Sequence, residues 1–190
     1  MDATADTDSL TGQLLVAMPN MQDPRFHRAV IYVCTHGPAG AMGLVINRPF
    51  TEISFKDLMA QLGIFSPRLP ESMRVHFGGP MESGRGFVLH SVDWVREGTM
   101  LINDDVAMTA TIDILRAIAD GNGPRKCVLV LGYVGWGPGQ LETELQNNSW
   151  INVPATEGLL FDPDLGAKWE SAFATIGVRP SMLSGEAGHA

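Results

Sequence analysis

The chain is short of most features by which a sequence declares its chemistry. Its 190 residues include two cysteines, Cys34 and Cys127. That count excludes a small disulfide-stapled scaffold, and both cysteines lie within apolar runs, where free thiols are usually buried in strands. One bridge between them is geometrically open, with nothing in the sequence to favour it. No Cys-x-x-Cys pair, His-Glu-x-x-His stretch or calcium loop occurs, so neither a metal nor any other cofactor is expected. Long apolar runs are also missing: segments such as Cys127 to Leu131 fall far short of a membrane span. Met1 to Ser9 is acidic and polar, with no basic start and no apolar core of a secretion leader. The expectation is a cytoplasmic chain in a reducing compartment, not associated with a membrane.

Positive charge is scarce. Thirteen Lys and Arg stand against 21 Asp and Glu, a formal net charge of −8, and no basic run interrupts the sequence. Non-specific affinity for DNA rests on Lys and Arg, so direct nucleic-acid binding is disfavoured. No helix-turn-helix pattern opposes that reading.

What is present is an ordinary apolar fraction of 45% on a length that buries roughly 70% of its unfolded surface. No repeat or mid-chain linker appears. The expectation is a single domain over 1–190, with an ordered core over about 10–180 and solvated tails at 1–9 and 183–190.

Periodicity and turn chemistry supply the elements. Leu14 to Met18 is a short buried strand, and Asp23-Pro24-Arg25 starts a helical turn. Ala29 to Thr35 and Met42 to Asn47 form a hairpin across His36 to Gly40. Ser54 caps a helix that ends at Gly63. Val75 to Phe77 and Gly86 to Ser91 are strands around a Gly78-Gly79-Pro80 turn, and Thr99 to Ile102 is another. Met108, Ile112, Leu115 and Ala119 recur on one face, predicting a helix from Val106 to Ala119 capped by Asp104 or Asp105. Cys127 to Val134 is the central strand. A helix opens at Pro138 and runs to Gln146, a strand follows at Trp150 to Val153, and a last helix spans Asp164 to Thr175 with Trp169 and Phe173 inward. Strands outnumber helices and cluster at hairpin spacing, which is the pattern of an α+β fold.

Candidate chemistry is sparse. The run Gly132-Tyr-Val-Gly135-Trp-Gly137-Pro-Gly139-Gln140 lies between a strand and a helix, where N–H groups can converge on an anion. No Gly-Lys-Ser/Thr follows, the glycine spacing is not that of a dinucleotide site, and Glu142 and Glu144 would repel phosphate. A tight turn that leaves room for Trp136 is the plainer account. No Gly-x-Ser-x-Gly elbow exists, and by alternation neither cysteine has a basic neighbour on the same face of its strand. Asn47-Arg48-Pro49 ends a strand and puts Arg48 where it meets either an anion or a surface carboxylate.

In order, Leu15-Val-Ala-Met-Pro19, Asp23-x-x-Phe26, Gly43-Leu-Val-Ile-Asn-Arg-Pro49, Gly78-Gly-Pro80, Val88-Leu-His90, Gly132-Tyr-Val-Gly-Trp-Gly137, Gln140-Leu-Glu142 with Glu144, and Asn148-x-Trp150 resemble the AlgH/YqgE family of bacterial proteins. The resemblance spans about Thr11 to Gly177. It implies a bifurcated β-sheet with a small closed β-barrel portion, surrounded by helices. It also implies the label of a transcriptional regulator, but no catalytic residues. The resulting expectation is a non-enzymatic domain that binds a small-molecule ligand or a protein partner. Its surface would be formed by Asn47, Arg48, Gly79, Pro80, His90, Trp136, Gly137 and Gln140. The alternative is an enzyme using His90 and Glu144 as acid and base.

Overall fold

A computed structural model describes residues 9–183; the expected tails lie almost entirely outside that range. Nine strands follow in chain order: β1 (Gln13–Ala17), β2 (Val30–Gly37), β3 (Gly40–Val45), β4 (Val75–Phe77), β5 (Met81–Ser91), β6 (Thr99–Leu101), β7 (Val106–Thr109), β8 (Cys127–Trp136) and β9 (Trp150–Pro154). Five helices join them: α1 (Phe55–Gln61), α2 (Ile112–Ala119), α3 (Gln140–Gln146), α4 (Glu157–Phe161) and α5 (Lys168–Thr175). The strand order is β6-β7-β5-β8-β3-β2-β1-β9, with β4 added beside β8. Every pair is antiparallel except β4 with β8. The architecture is therefore α+β, a curled half-barrel of nine strands. The closed barrel portion is not formed: the ladder ends at β6 and at β9, and no pairing among the described residues joins its ends.

The strand β8 organises the sheet. One of its edges carries β5, while the other is shared, with β4 along Leu129 to Leu131 and β3 along Val134 to Trp136. Where the two neighbours part, Gly78 fills the gap: its N–H donates to the Leu131 carbonyl at 2.8 Å, and its carbonyl accepts from Val45 at 2.8 Å.

Alternation along the strands sorts side chains between layers, because successive residues face opposite sides of a sheet. Leu14, Val16, Val30, Tyr32, Phe87, Leu89, Val128 and Val130 share one core with Trp169 and Phe173 of α5. On the other side, Leu15, Ala17, Ile31 and Val33 pack with Trp136, Trp150 and Leu141 of α3. Val75, Val88, Leu129 and Leu131 pack instead against Phe55 and Met59 of α1 and Ile114 and Ile118 of α2. Strands covered on both faces lose the polar-apolar alternation, which is why β1, β2 and β8 read as continuous apolar runs.

The expected helix over Val106 to Ala119 is two elements. Val106 to Thr109 pairs with both β5 and β6, and Asn103 Oδ1 accepts from the N–H groups of Asp105 and Val106 at 2.9 Å each to turn the β6–β7 hairpin. Ile114, Ile118 and Ala119 are the buried residues of α2, whereas Ile112 is exposed. Strand pairing that is distant in sequence overrode a local helical period. Four further differences concern ends: β5 begins at Met81 and not at Gly86, β8 continues through Trp136, α3 begins at Gln140 after Gly139 and not at Pro138, and the final helix begins as a 3₁₀ turn at Leu165–Ala167. The helix α4, capped by Thr156 through its bond from Leu159 N–H, was not expected. No helix among the described residues is long and apolar enough to cross a membrane.

Candidate functional site

A groove of about 520 Å³ opens where three segments meet: the Asn20–Phe26 loop after β1, the end of β8, and the turn from α3 into β9. Each wall has a local cause. Asp23 caps the 3₁₀ turn Pro24–Phe26 by accepting from Arg25 N–H, and its carboxylate also pairs with the Arg25 guanidinium at 2.7 Å. Those Arg25 hydrogen bonds hold the Asp23 carboxyl below its ordinary value. Gly139 takes a left-handed φ of 74° ahead of α3, and Gln140 Oε1 turns back to accept from Gly137 N–H at 3.0 Å. Asn148 turns the chain into β9 at a φ of 57°, a conformation asparagine tolerates.

The floor is aromatic. Trp150 meets Trp136 edge-on at 6.3 Å between centroids and Phe26 at 5.7 Å. Both indoles are about 5% exposed or less, so their rings belong to the core while one rim of each reaches the groove. Two polar atoms here are buried without a hydrogen-bond partner among the described residues: Trp150 Nε1 and Glu144 Oε2. Burial pushes the Glu144 carboxyl above its ordinary value; the neighbouring Trp136 side chain opposes the rise, and the Asp23 charge adds to it. One orphan is a donor and the other an acceptor. Asn20, Gln22, Asn147 and Ser149 add neutral polar groups around them.

Of the expected surface, Pro80, Trp136 and Gln140 line this groove. The others hold structure. Asn47 Oδ1 accepts from Val30 N–H at 2.9 Å while its amide donates to the Arg28 carbonyl at 2.8 Å. Arg48 donates to the carbonyls of Arg25 and His27, bracing the groove loop from behind. Gly79 is pressed against the Tyr133 backbone, and the Gly137 N–H is taken by Gln140. The glycine run is therefore no anion cradle: Gly132 to Trp136 is strand, and its following N–H group is already engaged.

His90 is fully buried, with Nδ1 at 2.8 Å from the Ser91 carbonyl and Nε2 at 2.8 Å from Thr109 Oγ1. It pairs with Cys127 at the start of β8, whereas Glu144 sits by Trp136 at the strand's end. Nine strand residues separate them, ~30 Å at the usual rise. The expected acid-base pair of His90 and Glu144 is not assembled. The cysteines are no better placed for catalysis: burial pushes the Cys34 thiol up to about 12 and the Cys127 thiol up to about 11. No group of three His, Cys, Asp or Glu among the described residues is placed to hold a metal ion.

Burial holds both His90 and His76 below the ordinary histidine value of 6.5. The unfolded chain therefore binds protons first as pH falls, and stability present above 6.5 is lost from there down toward the depressed folded values. Urea midpoints should fall between pH 7.5 and 5.5, before the carboxylates titrate. The fall should be smaller in His90→Asn; an equal fall in both chains would remove His90 from the account.

As groove residues, Trp150, Asp23 and Asn148 were legible only through the Asp23-x-x-Phe26 and Asn148-x-Trp150 patterns, and Glu144 only as an acid-base candidate beside His90, because their convergence depends on the β1–β9 pairing. That pairing sets Ala17 opposite Trp150.

The comparisons agree across the length of the chain. The AlgH-like DUF179 family model matches residues 14–181. A UPF0301 protein of Rhodospirillum rubrum is 52% identical over 181 residues, covering 95% of this chain and 94% of its own. A UPF0301 protein of Beijerinckia indica is 52% identical over 199 residues, covering 100% and 97%. The solution structure of the AlgH protein from Pseudomonas aeruginosa superposes with a TM-score of 0.77 at 39% identity, over the whole of both chains. A crystal structure of a Corynebacterium diphtheriae protein, at 19% identity and a TM-score of 0.73 over 91% and 90% of the chains, shares the fold. The chain belongs to the AlgH-like family, DUF179 or UPF0301.

Proposed function

We propose that the chain is a binding domain that acts in regulation through a small polar ligand held in this groove, and not through direct contact with DNA. One observation carries the reading: Trp150 Nε1 and Glu144 Oε2, a donor and an acceptor, are both buried at the groove without a partner. Each such group costs about 1–3 kcal/mol in the folded chain, which a ligand presenting the complementary atom removes. A hydroxyl or amide group both donates and accepts, so ligands rich in either suit the pair. The aromatic floor adds apolar contact for the body of such a molecule. Against DNA stands the net charge of −8.

A thermal-shift screen against nucleotides, other metabolites and divalent metals tests the proposal. At about 100 times its dissociation constant, a ligand adds roughly 2.7 kcal/mol, a rise on the order of 5–10 °C for this length. Trp150→Phe keeps an aromatic ring of smaller volume and removes the N–H, and Glu144→Gln removes the charge. Each should weaken the hit by roughly tenfold, read against the variant's own unliganded melting temperature, which the smaller ring of Trp150→Phe lowers. A flat panel on folded protein, or a hit indifferent to both substitutions, would refute the groove and turn attention to a protein partner.

A further inference from the structure

We infer that a second cavity, beside α5 and sharing no residue with the groove, binds a small oxyanion of the carboxylate or phosphate type through Lys168, Arg74 and His76. The cavity measures about 350 Å³ and is bordered by these three residues together with Cys127 and Asp162. Lys168 is 1% exposed. Lysine is almost never buried so completely without a paired anion, yet none of the ion pairs among the described residues includes it. Its ammonium donates to the carbonyls of Ile46 at 3.2 Å and Leu160 at 2.9 Å. An ammonium has three N–H donors, so one is left beyond these two bonds.

Among the neighbouring charges, Arg74 is exposed at the rim, and Asp162, which borders the cavity, attracts Lys168 without forming an ion pair and uses Oδ1 to accept from Asp164 N–H. His76 is held at 2.9 Å by the Leu129 carbonyl through Nδ1, which places the ring proton there and leaves Nε2 as an acceptor. Burial is the main cause of its lowered pKa, and the positive charges of Lys168 and Arg74 lower it further. Burial likewise brings Lys168 down to about 8. Both shifts come mainly from burial, and an anion in the cavity would oppose each of them. An oxyanion between them would accept the free Lys168 N–H, pair with Arg74, and draw a proton onto His76. Such a cavity in a chain of net charge −8 is a local exception to its surface.

The test is a nuclear magnetic resonance titration of the full chain at pH 7 with inorganic phosphate and, separately, with acetate. One or both should give saturable shifts at Arg74 to Phe77 and around Lys168, with a dissociation constant below about 10 mM. Whichever saturates identifies the class, and the His76 ring pKa should rise in its presence. Lys168→Gln should weaken binding ~10–100-fold, the worth of one charge-assisted hydrogen bond. Arg74→Ala, at an exposed position, should weaken it about threefold. No saturation with either anion, or equal affinity in the parent and Arg74→Ala with an unmoved His76, would overturn the assignment. Those last two readings decide the matter even where Lys168→Gln does not fold.

Discussion

Gly79→Ala is expected to destabilise the fold by at least ~3 kcal/mol, lowering the melting temperature on the order of 10 °C. A Cβ built at Gly79 falls 2.1 Å from the Tyr133 carbonyl carbon and 2.2 Å from its oxygen. Both are backbone atoms of the central strand β8, so no side-chain rotation relieves the overlap. From the other side, a Cβ on Gly132, whose φ is 79°, falls 2.2 Å from the Gly79 carbonyl oxygen. The two glycines therefore let two backbones touch where β8 passes from β4 to β3. Gly84→Ala supplies the control, because nothing lies within 4 Å of its Cβ; its melting temperature should stay within about 2 °C of the parent. Equal melting of Gly79→Ala and the parent would restore Gly79 to a ligand-facing role.

Trp136→Ala should cost about 3–5 kcal/mol, the usual range for deleting a large aromatic from a core. The ring is 5% exposed and packs with Ile31, Val45, Leu141 and Trp150. Its loss also withdraws the Trp136 side chain that opposes the rise of the Glu144 carboxyl, so that carboxyl should titrate still higher. Trp136→Phe keeps much of the volume and should recover most of the stability without recovering the Glu144 effect. Denaturant unfolding gives the first quantity and a carboxyl-selective pH titration the second. A near-neutral Trp136→Ala would mean that the residue serves the ligand alone.

Both substitutions fall on residues that looked like ligand contacts in the chain and turned out to carry packing. The reason is common to them. Glycine and tryptophan at strand ends fit a binding surface and a close-packed crossing equally well, and only the atoms opposite them decide. Opposite Gly79 stands the Tyr133 backbone, so close approach serves the fold. Opposite Trp136 stand both the core and the groove, so it serves two ends. Asn47 and Arg48 likewise spend their hydrogen bonds on the chain's own carbonyls and the Val30 N–H, holding in place the loop whose far side lines the groove.

Local physics was sufficient for much of the architecture. The β-branched run within Ala29 to Thr35, the turn within His36 to Gly40, the Ser54 cap and the start of the apolar β8 at Cys127 each depend on neighbours in sequence, and each is present in the fold. Charge and motif content likewise follow from composition. Three things were decided by contacts between residues far apart in the chain. Val106 to Thr109 became a strand because β5 and β6 offered ladders on both sides. His90 and Glu144 were set at opposite ends of β8, since a strand keeps its residues ~3.3 Å apart and cannot fold them back together. Trp150 Nε1 and Glu144 Oε2 were left unpartnered, and Lys168 buried without an ion pair, by packing that no spacing encodes. Sequence by itself determined which segments are strands or helices wherever the deciding interactions are local. The tertiary structure alone decided which polar groups were stripped of water and left wanting a partner, because desolvation depends on everything that surrounds a group.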